Sequence, residues 1–317
     1  MPDNSNLVQA VHFHSRDPGA HWTKDPKIAI DLDTPLDSTK ILTPNVVRIP
    51  TGGYRMYYTG LGPAHPDPDV QGYILSAHSD DTETWVKDPG IRIDLHPPHA
   101  TSRTLCPDVV PLPDNRWRMY FEARSSERPT VILSALSSDG LQWELEPGIR
   151  FGNDQWSYGT PRCLYLAGGG CRLYFHRYTH PLSHELNVGN HIISAHSSDG
   201  LHFEEDPGVR IDQETQRETF AVYAPEVLRL GDGTYRMYYA AWTQETPGGI
   251  FTATSSDGLE WEKDPEPCVD LDTELDCDMV SEPCVIELDD GHSRLFYEAR
   301  DGKGQCRILS ATSTGIV

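Results

Sequence analysis

Five times along the chain the pattern of apolar and polar positions repeats in the same order. Runs with a period of two, Tyr54-Arg55-Met56-Tyr57-Tyr58, Trp117-Arg118-Met119-Tyr120-Phe121, Cys171-Arg172-Leu173-Tyr174-Phe175, Tyr235-Arg236-Met237-Tyr238-Tyr239 and Ser293-Arg294-Leu295-Phe296-Tyr297, are rich in aromatic residues. That alternation marks half-buried strands. Shortly before each run stands a proline with an apolar residue two positions on: Pro44-Asn45-Val46, Pro107-Asp108-Val109, Pro161-Arg162-Cys163, Pro225-Glu226-Val227 and Pro283-Cys284-Val285. After it comes an Ile-x-Ser-Ala type strand, then a Ser-Asp-Gly turn and an aromatic at 22, 85, 143, 203 or 261. Glycine in such a turn accepts positive φ, and aspartate bonds nearby amides.

Each unit therefore predicts four antiparallel strands, and a period of roughly 60 residues suits a propeller blade better than a solenoid repeat. Trp22 to Asp37 aligns without gaps on Trp261 to Asp276, so the chain enters the repeat in mid-unit. The last unit stops after Ile308 to Ser313 and lacks its own aromatic strand. Joining the two ends completes a fifth blade and leaves no open sheet edge. The predicted fold is all-β: a five-bladed β-propeller, four antiparallel strands per blade, the ring closed by N- and C-terminal strands in one blade, as one domain over residues 1–317. Two unrelated β-sandwiches with coincidental turns is the competing account, which the repeats disfavour.

Composition adds limits. The net charge is −22, which disfavours nucleic acid and anionic membrane surfaces as partners, since both need clustered Lys and Arg. There is no apolar run of bilayer length and no signal-like start, so the expected location is cytoplasmic. The seven cysteines lack metal-type spacing and read as reduced structural thiols. Oligomeric state is not encoded in any of these features.

Candidate chemistry gathers where first strands begin and second strands end, because in an antiparallel blade both lie on one face of the disc. The first set is Asn45, Asp108, Arg162, Glu226 and Glu282; the second includes Glu122, Arg124, His176, Trp242, Glu298 and Arg300. Tyr158, with Trp156 and Trp242, is a candidate platform for a sugar face. Glu122 with Arg124 and Glu298 with Arg300 also fit ordinary salt bridges. Glycoside cleavage needs two carboxyl groups, one protonated and one ionised. Asp108, Glu226 and Glu282 are the catalytic candidates, the others substrate-binding ones. Placing Asp108 and Glu226 across the channel implies the wider spacing of an inverting site.

The repeated Ser-Asp-Gly-x-x-Trp resembles a shortened Asp-box hairpin of sialidase propellers. With Pro107-Asp108-Val109 opening the second blade, the chain resembles the furanosidase-type superfamily: glycoside hydrolase families 43, 32, 62 and 68, and more distantly the family 130 mannoside phosphorylases. The resemblance implies a carbohydrate-like small-molecule substrate, hydrolysis, and a positioning role for Asp108. Where family 43 has its base Asp before the first-blade proline this chain has Thr43, and Tyr158-Gly159-Thr160-Pro161 replaces the third-blade acid. Glu226 or Glu282 would then serve from other blades. Phosphorolysis, with Arg124, Arg162, Arg177, Arg300 and His176 around a phosphate, is one alternative; a non-catalytic glycan-binding propeller is another. The His-rich loops (His96, His99; His176, His180, His184, His191) and the pairs Asp31/Asp33 and Asp270/Asp272 raise metal binding, but neither has a diagnostic spacing. No metal or cofactor is expected.

Overall fold

The computed structural model describes residues 12–178, 190–245 and 248–315, and these form five four-stranded antiparallel blades around an axis. Blade 1 comprises Lys40–Arg48, Tyr54–Leu61, Tyr73–Ser79 and Val86–Lys87. Blade 2 comprises Arg103–Pro111, Trp117–Arg124, Val131–Ser137 and Glu144–Leu145. Blade 3 comprises Tyr158–Tyr165, Cys171–Arg177, His191–Ser197 and Glu204–Glu205. Blade 4 comprises Ala221–Leu230, Tyr235–Trp242, Gly249–Ser255 and Glu262–Lys263. In blade 5, Met279–Glu287, Ser293–Arg300 and Cys306–Ser313 are completed by the N-terminal strand Thr23–Lys24.

Ring closure thus takes the predicted form. Thr23 and Lys24 pair with Thr312 and Ala311, and Ile30 bridges Ile308. Equivalent bridges, Ile74 to Ile93, Ile132 to Phe151, Ile192 to Ile211 and Ile250 to Val269, extend the third strand of every other blade. The sequence pattern did not signal a further element: Phe13–His14 lies parallel to Arg229–Leu230 on the inner strand of blade 4. Deleting residues 1–30 is expected to bare the edge of Cys306–Ser313 and produce aggregation by light scattering. A monodisperse truncation with unchanged melting temperature would contradict closure by the two ends.

The repeated aromatic explains how blades dock. Trp85, Trp143, Phe203, Trp261 and Trp22 each meet an aromatic ring of the preceding blade edge-on, Phe296, Tyr57, Tyr120, Tyr174 and Tyr238 respectively. Such edge-to-face pairs add about 0.5–1.5 kcal/mol beyond the area they bury. Four of those rings are tyrosines, and their hydroxyls donate to the turn carbonyls of Gly140, Gly200, Gly258 and Gly19 at 2.7–2.9 Å. Where Phe296 replaces tyrosine, Thr82 replaces the turn glycine, and Arg294 bonds Thr82 Oγ1 instead. The two departures compensate each other.

The paired aspartates raised as a calcium alternative are occupied by lysine. Lys87 Nζ reaches the Asp31 carbonyl at 2.5 Å and the Asp33 and Asp37 carboxylates; Lys24 Nζ reaches the Asp270 carbonyl at 2.5 Å and the Asp272 and Asp276 carboxylates. The aromatic strand's lysine thus supplies the cation that those oxygens require.

Candidate active site

In every blade the register of the inner strand slips at its proline: between Leu42 and Asn45, Leu105 and Asp108, Gly159 and Arg162, Tyr223 and Glu226, and Ser281 and Cys284. The residue before each proline, Thr43, Cys106, Thr160, Ala224 or Glu282, has φ between +49° and +55°. Holding non-glycine residues there costs ~1–3 kcal/mol each, and bulges of this kind re-aim side chains. As a result the residues before and after the prolines serve two different layers.

The lower layer is a closed ring formed by the residues after the prolines. Asn45 Oδ1 accepts from Val109 N at 3.0 Å, Asp108 Oδ2 from Cys163 N at 2.7 Å, Glu226 Oε1 from Val285 N at 3.2 Å and Cys284 Sγ from Val46 N at 3.2 Å. Arg162 Nε donates to Glu226 Oε2 at 2.9 Å, and its other nitrogens donate to the carbonyls of Pro44, Pro107 and Pro161. Each blade thereby reaches the next. His12 enters this ring from the N-terminal segment, 3.4 Å from Asp108 and 3.3 Å from Glu226. Burial alone would lower the His12 pKa, but Glu226 and Asp108 outweigh it and push it up to about 10. The imidazolium therefore acts as a counter-ion to the buried carboxylates.

Above the ring lies the mouth pocket, with a cavity volume of about 420 Å³. Thr43, Cys106, Thr160 and Glu282 are at its floor. His176, Tyr178, Tyr223 and Trp242 form the wall of blades 3 and 4, while Lys40, Arg103 and Arg300 come from blades 1, 2 and 5. Glu122 Oε1 accepts from Arg124 Nε and Nη2 at 3.1 and 2.6 Å, and Arg124 also bonds the Tyr178 hydroxyl at 3.0 Å. Burial would raise the Glu122 pKa, yet Arg124 and the other nearby cations bring it below the usual value. Glu282 and Glu298 behave oppositely. Burial, then the charge of Glu298, drives Glu282 well above the usual range, and burial pushes Glu298 up to about 7 against the Thr43 amide and Arg300.

Four buried polar atoms of the pocket residues have no hydrogen-bond partner among the described residues: Glu282 Oε2, His176 Nε2, Trp242 Nε1 and Arg103 Nε. His176 Nδ1 shares a 2.7 Å hydrogen bond with Thr160 Oγ1, and burial lowers its pKa to about 4, so the ring is neutral at pH 7. Unpaired buried groups of this sort are costly in a mere scaffold and usual where a polar ligand docks.

The predicted site residues therefore separate. Glu282, Glu122, Arg124, His176, Trp242, Glu298 and Arg300 are brought together at the mouth. Asp108 and Glu226, expected to converge with Glu282, lie in the sealed ring instead, 0% exposed, together with Asn45 and Arg162. The cause is the bulge: Glu282 precedes its proline, whereas the other four follow theirs. Tyr158 is not a platform; it is buried against Phe151 and Phe175, and its hydroxyl accepts from Asn153. Trp156 is instead covered by Arg177, whose guanidinium also faces Glu205 at 3.6 Å. His180 and His184 lie outside the described residues. Sequence reasoning missed His12, Lys40, Arg103 and Tyr223. For the last three the signal was alternation, since Lys40 and Arg103 stand four residues and Tyr223 two before their prolines.

No family model matches the chain. Two curated relatives from Mycobacterium tuberculosis do. It is 35% identical over 236 residues to the Uncharacterized protein MT1551 of strain CDC 1551 / Oshkosh, covering 65% of this chain and 72% of that protein. It is 34% identical over 196 residues to the Uncharacterized protein Rv1502 of strain H37Rv, covering 61% of this chain and 54% of that protein. Among solved structures, a thermostable family-43 glycoside hydrolase superposes with a TM-score of 0.70 at 18% identity, over 88% of this chain and 91% of that one. A β-1,2-mannobiose phosphorylase from Listeria innocua, solved with β-1,2-mannobiose, superposes with a TM-score of 0.71 at 12% identity, over 87% and 90%. These likenesses are of fold. By the 35% identity the chain belongs to the family of the M. tuberculosis protein MT1551, built on the five-bladed propeller that it shares with family-43 glycoside hydrolases and the mannobiose phosphorylase.

Proposed function

We propose that the mouth pocket binds a carbohydrate-like small molecule and hydrolyses its glycosidic bond. The observation that carries this reading is the pair Glu282 and Glu298: two buried carboxyl groups in one pocket, one holding its proton well above the usual range and the other titrating at about 7. Two neighbouring buried carboxyls, both held above the usual carboxylate range, can divide acid and base roles when one keeps its proton and the other ionises. Glu282, with Oε2 unpaired, donates a proton to the departing oxygen. Glu298, ionised, takes one from water. Arg124 keeps Glu122 ionised beside the floor, where Glu122 accepts the Thr160 amide at 3.3 Å and stabilises positive charge developing on the sugar. Trp242 and Tyr223 offer an apolar face. The expected spacing for inversion rested on Asp108 and Glu226 spanning the channel, and that argument does not carry over to this pair.

An aryl-glycoside panel assayed with and without inorganic phosphate tests the reading. Release of the aryl group independent of phosphate, rising with pH through about 7 as Glu298 ionises, is the expected result. Turnover only with phosphate would favour phosphorolysis, and binding without turnover across the panel would favour a glycan-binding propeller.

A further inference from the structure

The protein is strongly acidic, with a net charge of −22, yet the pocket wall contributed by blades 5, 1 and 2 is cationic. Lys40 and Arg103 open the inner strands of blades 1 and 2, and Arg300 ends the second strand of blade 5. Arg300 is paired with Asp278 at 2.5 Å. Arg103 is not paired. Among the described residues none forms an ion pair with it, and its buried Nε has no hydrogen-bond partner. Its stem is pinned: a Cβ on Gly72 would come within 2.9 Å of Arg103 Cδ. Burial and the adjacent Arg124 lower its pKa to about 10, which still leaves it charged at neutral pH.

The local charge balance points the same way. Once Glu282 keeps its proton, the cations Lys40, Arg103, Arg124 and Arg300 face the carboxylates Glu122, Glu298 and Asp278, leaving one positive charge over. A pocket focuses such a charge and raises the local concentration of anions. The opposite wall, with His176 neutral and Tyr223 and Trp242 aromatic, has no such preference. A ligand matched to both walls has an apolar face on one side and an anionic group on the other.

We propose that Arg103, with Lys40 lining the same pocket, receives a carboxylate carried by the sugar, so that the ligand class is a uronic acid or uronoside rather than a neutral sugar. The inference rests on the reading of the pocket as a glycoside site. A planar guanidinium with free donors suits a carboxylate bidentately, and a charge-assisted hydrogen bond of this kind is worth about tenfold or more in affinity.

Calorimetric titration of the full chain with galacturonate, glucuronate, galactose, glucose and inorganic phosphate, at low and high salt, decides it. One uronate is expected to bind at least about tenfold more tightly than its neutral counterpart at low salt. Arg103→Gln should abolish that preference; a cooperative melting curve for the variant, in which Glu122 and Glu298 lose a nearby cation but no ion pair among the described residues is broken, checks that it is folded. Equal binding of acid and neutral sugar, unaffected by Arg103→Gln, overturns the inference and leaves the glycoside reading standing. Phosphate binding at this site with no uronate preference also overturns it, since the anion would then be a free one. If no sugar binds, both the glycoside reading and this inference fall.

Discussion

Glu282→Gln is expected to lower kcat on a responsive glycoside by about 10²-fold or more, the usual worth of a positioned acid, while raising stability at neutral pH. The stability half follows from linkage. A carboxyl whose folded pKa lies well above its unfolded value near 4.5 is protonated in the fold and ionised in the unfolded chain across that interval. Folding then takes up a proton, so stability falls as pH rises from about 4.5 toward the folded pKa. Glutamine has no proton to lose, so the variant and the wild type should melt together near pH 4 and diverge in favour of the variant at pH 8. Thermal scans at the two pH values, with initial rates on the same preparations, provide the check. Unchanged turnover would remove Glu282 from the chemistry, and a lower melting temperature at pH 8 would mean that its carboxylate has a partner after all.

The fold was legible because a propeller writes itself into the chain several times. The aromatic strand, the Ser-Asp-Gly turn and the proline of the inner strand recur with their spacing intact, and each has a visible job: Trp143 packs on Tyr57, Tyr57 holds the Gly140 carbonyl, and Pro44 marks the slip before Asn45. The gapless match of Trp22 to Asp37 with Trp261 to Asp276 located the closure. The site was legible only in part. Counting along strands assumes an unbroken alternation, and a one-residue slip at each proline exchanges the two layers. Read with the slip, Glu282 belongs with Thr43, Cys106, Thr160 and Ala224, and Asp108 and Glu226 belong with Asn45, Arg162 and Cys284. His12 had no comparable signal, since nothing periodic surrounds it in the sequence and its place is set by long-range contact alone.

The sealed ring makes the second large prediction, one of stability. Arg162 is buried among Glu226, three proline carbonyls and the charge of Asp108, so Arg162→Met removes the cation and leaves two buried carboxylates with His12 as their only charged contact among the described residues. Breaking one side of such a buried pair costs about 3–5 kcal/mol, largely through the charge left uncompensated. Urea unfolding should show that loss as a lower midpoint with little change in slope. If the cost arises from the stranded charge, Arg162→Met combined with Glu226→Gln should recover part of it, because the neutral amide still accepts the Val285 amide through its oxygen. A ligand-binding role for Arg162 predicts otherwise: a small stability change and a large loss of affinity. A single variant that loses less than about 1 kcal/mol of unfolding free energy would contradict the ring as the element that ties the five inner strands together. Combined variants that lose as much as the two singles summed would place the damage in Arg162's bonds to the proline carbonyls rather than in the charge of Glu226.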